Sequence, residues 1–488
     1  MASEETVVIS RTEYQQFLAQ QSQINLLKHQ IAELQRLIYG AKSERFIAPI
    51  PNQPTLFELP ESENIEKPKE EIAYTRSKPE PKNHPLRLEL AAHLPRKTEV
   101  LEPAELPEGA VKIGENITEV LDYVPASIFV RQFVRPKYIV SQDDEQTRII
   151  TAPLPSLPIP KGNAGAGLLA HILVSKFVDH LPFYRQVQIF KRQQLTIPES
   201  TIGGWFNASC RLLEPLYTTL KTRLLTADYL MADETPIPVQ TNDKPGATHK
   251  GYHWVYYDPG SKLVLFDYQK TRGREGPDEL LQNFTGHLQT DGYTAYNNLK
   301  NGAKITQLAC MAHARRKFEH ALDNDPALAT EALLLFGRLY EIEREAREQG
   351  LDTDAIKLFR QEQSAPILIA MEKWLNDKLN KALPKSAIGQ AIAYTLTLWP
   401  RLVRYIDDGR FNIDNNLIEN SIRPVALGRK NYMFAGSHDA AQQAATVYSL
   451  LATCKINNVE PFEWLSKTLS VISDYPANQL HKLLPGQK

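Results

Sequence analysis

The sequence predicts a multidomain α+β protein: an N-terminal coiled coil, a small β-rich domain, a helical domain, and an α/β core carrying a large helical insertion. Three observations predict it. Apolar residues near the N-terminus follow a heptad seam. Between 228 and 309, short apolar runs alternate with turn formers. From 326 to 406, Leu and Ile recur only at helical spacing. At 488 residues the length suits about three domains. With 42% hydrophobic and 23% charged residues, a sizeable core is expected. The formal net charge of −1 means that nucleic-acid contacts must come from local patches. Cys210, Cys310 and Cys454 are far apart, which argues against a disulfide framework and for a reducing cytoplasm. No run has the apolar length of a membrane span. Glu4 and Glu5, with no basic stretch, do not read as a signal peptide.

The first element is a coiled-coil helix at 10–46. Phe17, Ile24, Leu27, Ile31, Leu34 and Ile38 occupy alternating a and d positions, and Gln20 interrupts them. Self-association into a homodimer or higher oligomer is expected, against a helix packed on its own chain. Residues 47–83 are rich in Pro, Glu, Lys and Asn and read as a disordered linker. The small β-rich domain, 84–150, is expected to contain strands at 118–123 and 128–134. It has no cysteine, so His84 and His93 lack partners for a Cys-containing zinc site, and no zinc is expected. The prolines of 152–161 make a stiff connector.

Residues 160–226 are helical. Leu168 to Val178 forms one helix, Leu181 to Arg192 a second, and Pro198-Glu-Ser-Thr201 caps a third. With Lys191 and Arg192 nearby, this resembles a helix-turn-helix; a plain helical bundle is the competing reading. The first part of the core, 227–325, begins with the apolar run 229–232, which is expected to end at Asp233. Strands at 252–257 and 262–268 complete an antiparallel meander. A short helix follows at 277–284. The strand 287–290 ends at Asp291-Gly292, and another strand leads into the basic helix His313-Ala-Arg-Arg-Lys-Phe318. The helical insertion, 326–406, follows. The second part of the core, 407–456, and a helical tail, 457–488, complete the chain.

The stretch 414–430 reads as a helix capped by Asp414 or Asn415, with Ile418, Ile422 and Val425 on a buried stripe. Pro424 is expected to kink or end it. Glu419 and Arg423 read at first as a solvated i,i+4 pair. Asp233 and Asp291, each directly after an apolar run, read singly as turn-capping residues. Together with Glu419 they form a different pattern. Three converging carboxylates repel one another unless a cation is present. Hard oxygen ligands select Mg²⁺ or Mn²⁺. Two such ions about 3.5–4 Å apart would support phosphoryl transfer.

Five ordered motifs then carry a family resemblance: MADETPIP at 231–238, QTDGY at 289–293, CMAHARRKF at 310–318, DNNLIENSIRP at 414–424 and GRKNYMFAGS at 428–437. RPKY at 135–138, LVSKFVDHLPFYRQ at 173–186 and the N-terminal helix with its SER at 43–45 extend it over nearly the whole chain. The sequence resembles the insertion-sequence 66 family of transposases. The resemblance implies an RNase H-like catalytic core of the DDE type, with Asp233, Asp291 and Glu419 as ligands of two Mg²⁺ or Mn²⁺ ions. It implies double-stranded DNA as substrate, at element ends and target, and accessory transposition proteins as partners. A cytoplasmic, nucleoid-associated location is expected, with no membrane partner. The sequence departs from the family pattern in lacking cysteines near 102–109 and 140–143, where the family has a zinc domain.

His313, Arg315, Arg316, Lys317, Arg423, Arg429, Lys430, Lys191 and Arg192 are the expected DNA contacts; a solvated basic face is the alternative. Glu234 is expected to be secondary, since neighbours on an extended strand point oppositely. Trp399 reads as a core residue before a base-stacking one. The expected function is cleavage of element ends and their joining to target DNA. A catalytically silent DNA-binding regulator and a metal-dependent nuclease without strand transfer are the alternatives.

Overall fold

The structure is a computed structural model. It describes residues 128–134, 137–142, 146–151, 153, 155–160 and 162–486, apart from 242–245, 298 and 301. The chain divides into two units, Met1–Ile128 and Phe129–Lys488. The coiled-coil helix, the linker, His84, His93 and the strand at 118–123 lie outside the described residues. The strand expected at 128–134 does not form: these residues are irregular, and Phe129, Val130 and Val134 are exposed. A β-rich pattern without a pairing partner among the described residues gives an extended chain only. The hairpin β1 (Lys137–Gln142) and β2 (Gln146–Thr151) follows, antiparallel from Lys137↔Thr151 to Gln142↔Gln146.

The helices expected as a separate domain at 160–226 are α1 (Ala166–Phe177), α2 (Phe183–Arg192) and α3 (Glu199–Leu224). They share the main core instead of standing apart. Phe177 stacks on Phe206 and meets Tyr448 edge-on at 4.9 Å, while Leu213, Leu216 and Leu220 are buried with the sheet residues. A 26-residue helix exposes a long apolar stripe, and the sheet is what covers it. Ile172, Val187, Phe190, Ile197 and Ile202 form a small core of their own.

The central sheet has the order β5–β4–β3–β6–β7. Its strands are β3 (Tyr229–Gln240), β4 (Thr248–Asp258), β5 (Leu263–Gln269), β6 (Gly286–Thr290) and β7 (Ile305–Ala309). The first three form the expected antiparallel meander, and β6 and β7 add in parallel beyond β3. The short helix α4 (Glu275–Leu280) joins β5 to β6.

The sequence reading is wrong about the end of β3. The strand does not stop at Asp233 but continues to Gln240, paired with β4 from Met231↔Tyr257 to Gln240↔Thr248. A proline ordinarily removes a ladder donor, yet Pro236 and Pro238 are accommodated within the strand. The Pro238 carbonyl accepts the Ala435 N–H, so it points away from β4, and the missing proline N–H lies on that same side. No β3–β4 bond is lost there.

At the other edge, β5 is sealed. Tyr217 on α3 donates to the Phe266 carbonyl at 2.8 Å. Helix α10 (His438–Ile456) lies along β5, where Ser449 accepts the Phe266 N–H at 2.8 Å and Thr453 accepts the Val264 N–H at 3.2 Å. One helical turn, about 6 Å, matches two strand residues, about 6.6 Å. The hydroxyl pair therefore satisfies alternate groups of an edge that would otherwise invite pairing.

After β7 come α5 (Met311–Ala321) and the insertion: α6 (Pro326–Glu348), α7 (Thr353–Leu379) and α8 (Ala387–Leu402), then a 3₁₀ turn over Val403–Asp407. Trp399 is buried in the core, as its composition reading favoured. Helix α9 (Asn416–Tyr432) carries Glu419, and α11 (Pro461–Val471) lies in the tail. Pro424 does not end α9. It costs one helical hydrogen bond, while Ile418, Ile422 and Val425 are buried on either side of it.

Candidate active site

The pairing of β3 with β6 ends at Met231↔Gln289. Two residues further along each strand stand Asp233 and Asp291. The parallel register therefore carries both acids to the same level, where the two strands part. Each is held by the local backbone: Asp233 Oδ1 accepts the Glu234 N–H at 2.7 Å, and Asp291 Oδ1 accepts the Tyr293 N–H at 2.8 Å. Asp291 thus also makes the turn-capping bond that the bland reading foresaw. The turn needs Gly292, whose φ is +90° and whose Cβ would meet Leu398 Cδ1 at 2.7 Å. Tyr394, from α8, donates to the Asp291 carbonyl at 2.8 Å. The insertion therefore buttresses this loop directly.

Glu419 comes from α9, whose start is pinned to the sheet by Asn415. This residue is fully buried. Its side-chain amide donates to the Ala232 carbonyl at 3.4 Å, and its backbone N–H meets Cys310 Sγ at 3.2 Å. The Met311 N–H donates to the Ile413 carbonyl at 3.0 Å. Strand β3, the start of α5 and the start of α9 are thereby joined next to Asp233. Asp414 accepts from the Asn416 N–H at 3.1 Å and from its side chain at 2.8 Å, ordering the first turn.

Burial, and then the charges of Glu234, Asp291 and Glu419, push the Asp233 carboxyl well above the usual carboxylate range. A bond from the Glu234 N–H opposes them only in part. The three expected acids thus share one electrostatic site. They are not drawn into a cage: among the described residues no three His, Cys, Asp or Glu side chains are gathered closely enough to hold a metal ion. Like charges drive such groups apart, and each aspartate is anchored by an oxygen to its own backbone. The donor set nonetheless suits a hard divalent cation, because its buried negative charge is what such an ion would offset.

The other expected residues separate into three groups. His313, on α5, lies with Nε2 3.9 Å from Glu419 Oε1. Arg315 pairs with Glu319 at 3.0 Å, and Arg429 turns inward, bonding Thr235 Oγ1 at 3.1 Å and the Pro236 carbonyl. Desolvation lowers the Arg429 pKa, which marks it as a clamp between α9 and β3. One guanidinium nitrogen of Arg429, an expected DNA contact, is thus spent on the strand that carries Asp233, and the residue is half-buried. Lys191, Arg192, Lys317, Arg423 and Lys430 are exposed and Arg316 is half-buried.

Sequence reasoning missed Arg272. It binds Glu234 through Nε at 2.8 Å, and its guanidinium lies 3.9 Å from the Tyr293 ring centroid. The Tyr293 hydroxyl donates to the Arg272 carbonyl at 3.0 Å. This ties Glu234 to Arg272 beside the three acids. The aromatic in QTDGY was the available signal. The Cys310 thiol is buried, and desolvation pushes its pKa up.

Comparison with known sequences fits this arrangement. Residues 161–443 match the family described as "Transposase IS66 family", residues 449–485 match "IS66 C-terminal element", and residues 26–98 match "Transposase C of IS166 homeodomain". The chain belongs to the IS66 transposase family. The family acts in transposition and binds DNA. Similar curated proteins carry no stated activity. Two uncharacterized proteins of Sinorhizobium fredii (strain NBRC 101917 / NGR234), y4jD and y4qI, are 33% and 35% identical to the chain. The first match covers 94% of this chain and 94% of the relative, the second 93% and 87%. No helix among the described residues is long and apolar enough to cross a membrane.

Proposed function

We propose that this IS66 family member cleaves DNA at element ends and joins the freed strand to target DNA by metal-dependent phosphoryl transfer. The observation that supports it most is the shared level of Asp233 and Asp291 at the parting of β3 and β6, with Asp291 and Glu419 both electrostatically coupled to Asp233. A meander followed by parallel strands, with acids on the first strand, on a later strand and on a late helix, supports an RNase H-like core. Asp233, Asp291 and Glu419 would hold Mg²⁺ or Mn²⁺. When bound, these ions supply the positive charge that activates a water or a 3′-hydroxyl and that stabilises the leaving oxygen.

The protein's own groups do the rest. Asn415 and Arg429 fix α9 against β3, so Glu419 keeps its place while the charge around it changes. Arg272 holds Glu234 out of the ligand set. His313 stands beside Glu419, within reach of a phosphate bound there. Lys317, Arg423 and Lys430 offer exposed cations to the DNA backbone. Lys191 and Arg192 on α2 continue that role toward the helix-turn-helix. Self-association through the N-terminal helix would hold two ends together.

The test is cleavage of a labelled element-end duplex in Mg²⁺ by wild type and by Asp233→Ala, Asp291→Ala and Glu419→Ala. We expect each alanine variant to lose at least about a hundredfold in rate. Cutting at the wild-type rate by any one of them removes that residue from the site. Strand-transfer products separate a transposase from a plain nuclease.

A further inference from the structure

The helix that carries Glu419 ends in a strained turn. Met433 closes α9 at φ +58° and ψ −47°, and the Phe434 N–H bonds the Tyr432 carbonyl at 2.6 Å. This is the positive-φ γ-turn, which is rare and costly for a residue with a Cβ. The neighbouring chain enforces it. Ala435 donates to the Pro238 carbonyl at 2.9 Å, and Gln240 donates to the Ala435 carbonyl at 2.8 Å. The turn leaves Met433 65% and Phe434 39% exposed, side by side. Strain that serves only to hold apolar side chains in water has no stabilising role, and such outliers concentrate where a ligand is met.

The surroundings indicate the ligand. Lys430 and Arg423 are exposed on the same helix. Arg185, exposed on α2, reaches Asn431 Oδ1 at 3.3 Å, and its guanidinium lies 5.7 Å from the ring of Tyr184, which is 49% exposed. Lys191 and Arg192 follow on α2, which has no acidic residue. Exposed acids border this surface at Asp179, at Glu199 in the first turn of α3 and at Asp439 in the first turn of α10, outside the α2 and α9 segments that carry the cations. Cations interleaved with aromatic and apolar side chains suit a strand whose phosphates meet the cations and whose base faces stack on the rings. Apolar side chains that project in this way can also separate stacked bases.

We propose that the Tyr432–Ala435 turn, with Tyr184 and Arg185, binds unpaired DNA bases next to the duplex on which the carboxylates act. The proposal rests on the DNA-acting reading of the site. Met433 is 14 residues from Glu419, so α9 places the turn about 21 Å away. That spans roughly six nucleotide steps from the scissile phosphate.

The test uses the full chain in EDTA, where no cutting occurs. Fluorescence anisotropy compares a blunt duplex with the same duplex carrying a single-stranded fork. Wild type is expected to bind the fork roughly tenfold more tightly. Phe434→Ala should bring fork binding down to the duplex level and leave duplex binding unchanged. Met433→Gly should do the same with a melting temperature no lower than wild type, because glycine accepts the positive φ. Equal binding of both DNAs by wild type, an intact fork preference in both variants, or a lower melting temperature for Met433→Gly overturns the proposal and leaves the carboxylate site standing. Binding to neither DNA overturns both readings.

Discussion

Two clusters of charged side chains, one buried in the helical insertion and one half-buried at the sheet, are treated in opposite ways. In the helical insertion, Arg360 is 3% exposed and grips Glu343 through two bonds of 2.7 Å. Its remaining nitrogen bonds the carbonyls of Tyr405 at 2.9 Å and Asp408 at 3.1 Å. Charge is balanced there, and the donors are spent on the segment that leads into α9. At the parting of β3 and β6 negative charge is in excess: Arg272 bonds Glu234, and the charges of Glu234, Asp291 and Glu419 still raise the Asp233 pKa. The first site behaves as a structural pin. The second gathers like charges that raise the Asp233 pKa. The difference separates a buried charge that supports the fold from one the fold tolerates.

Removing the balance at the first site should have the largest effect. Arg360→Met leaves Glu343 buried and unpaired, with an expected loss of about 3–5 kcal/mol in chemical denaturation. Adding Glu343→Leu should restore most of it; a double variant as unstable as the single one would refute the pin. At the second site the sign reverses. Asp233→Asn keeps the acceptor for the Glu234 N–H and removes one of the clustered charges. Melting in EDTA should therefore rise, by an amount on the order of 1–2 kcal/mol, while cleavage is lost. A lower melting temperature would mean that the acids are not electrostatically crowded.

Tyr394→Phe probes the buttress between the two regions. It should cost about 1 kcal/mol of stability by removing the bond to the Asp291 carbonyl. We also expect slower cleavage with substrate affinity unchanged, read from the kcat and KM of the labelled duplex. The smallest effect concerns Lys176, whose pKa burial lowers to about 8 and whose ammonium lies 3.9 Å from the Phe183 ring centroid. Because its folded pKa lies below the unfolded value, the unfolded chain binds more protons between about pH 8 and 10.5. Lys176 therefore contributes a stability that rises with pH across that window. Lys176→Met should flatten that part of the wild-type melting profile, and an unchanged slope would place the ammonium in water.

Much of the sheet was legible because alternation and turn formers are local signals. The meander at 252–268 and the acid after β6 were found that way. The continuation of β3 was not, since Pro236 and Pro238 read as breakers until the side of the strand they face is known. Asp233, Asp291 and Glu419 stood out by position. Their supports did not: Arg272, Tyr394 and Asn415 act through partners set by the tertiary fold, many of them distant in sequence. The bonds of Arg429 to β3 were hidden for a related reason. A basic residue on the segment of Glu419 reads as a DNA contact, and nothing local shows that its guanidinium also bonds Thr235 and Pro236. The helical domain at 160–226 looked separable because its connector is proline-rich, but the apolar stripe of α3 needs the sheet to cover it.

The hydroxyl seal on β5 has a consequence for synthesis. Ser449 and Thr453 lie 183 and 189 residues after the groups they bind. A ribosome that has just completed α9 has released all five strands, yet β5 still shows its bare edge. During that interval the nascent chain carries an unpaired strand, the feature most prone to pairing with another molecule. A gene interrupted between α9 and α10 would thus yield Asp233, Asp291 and Glu419 on a chain inclined to aggregate.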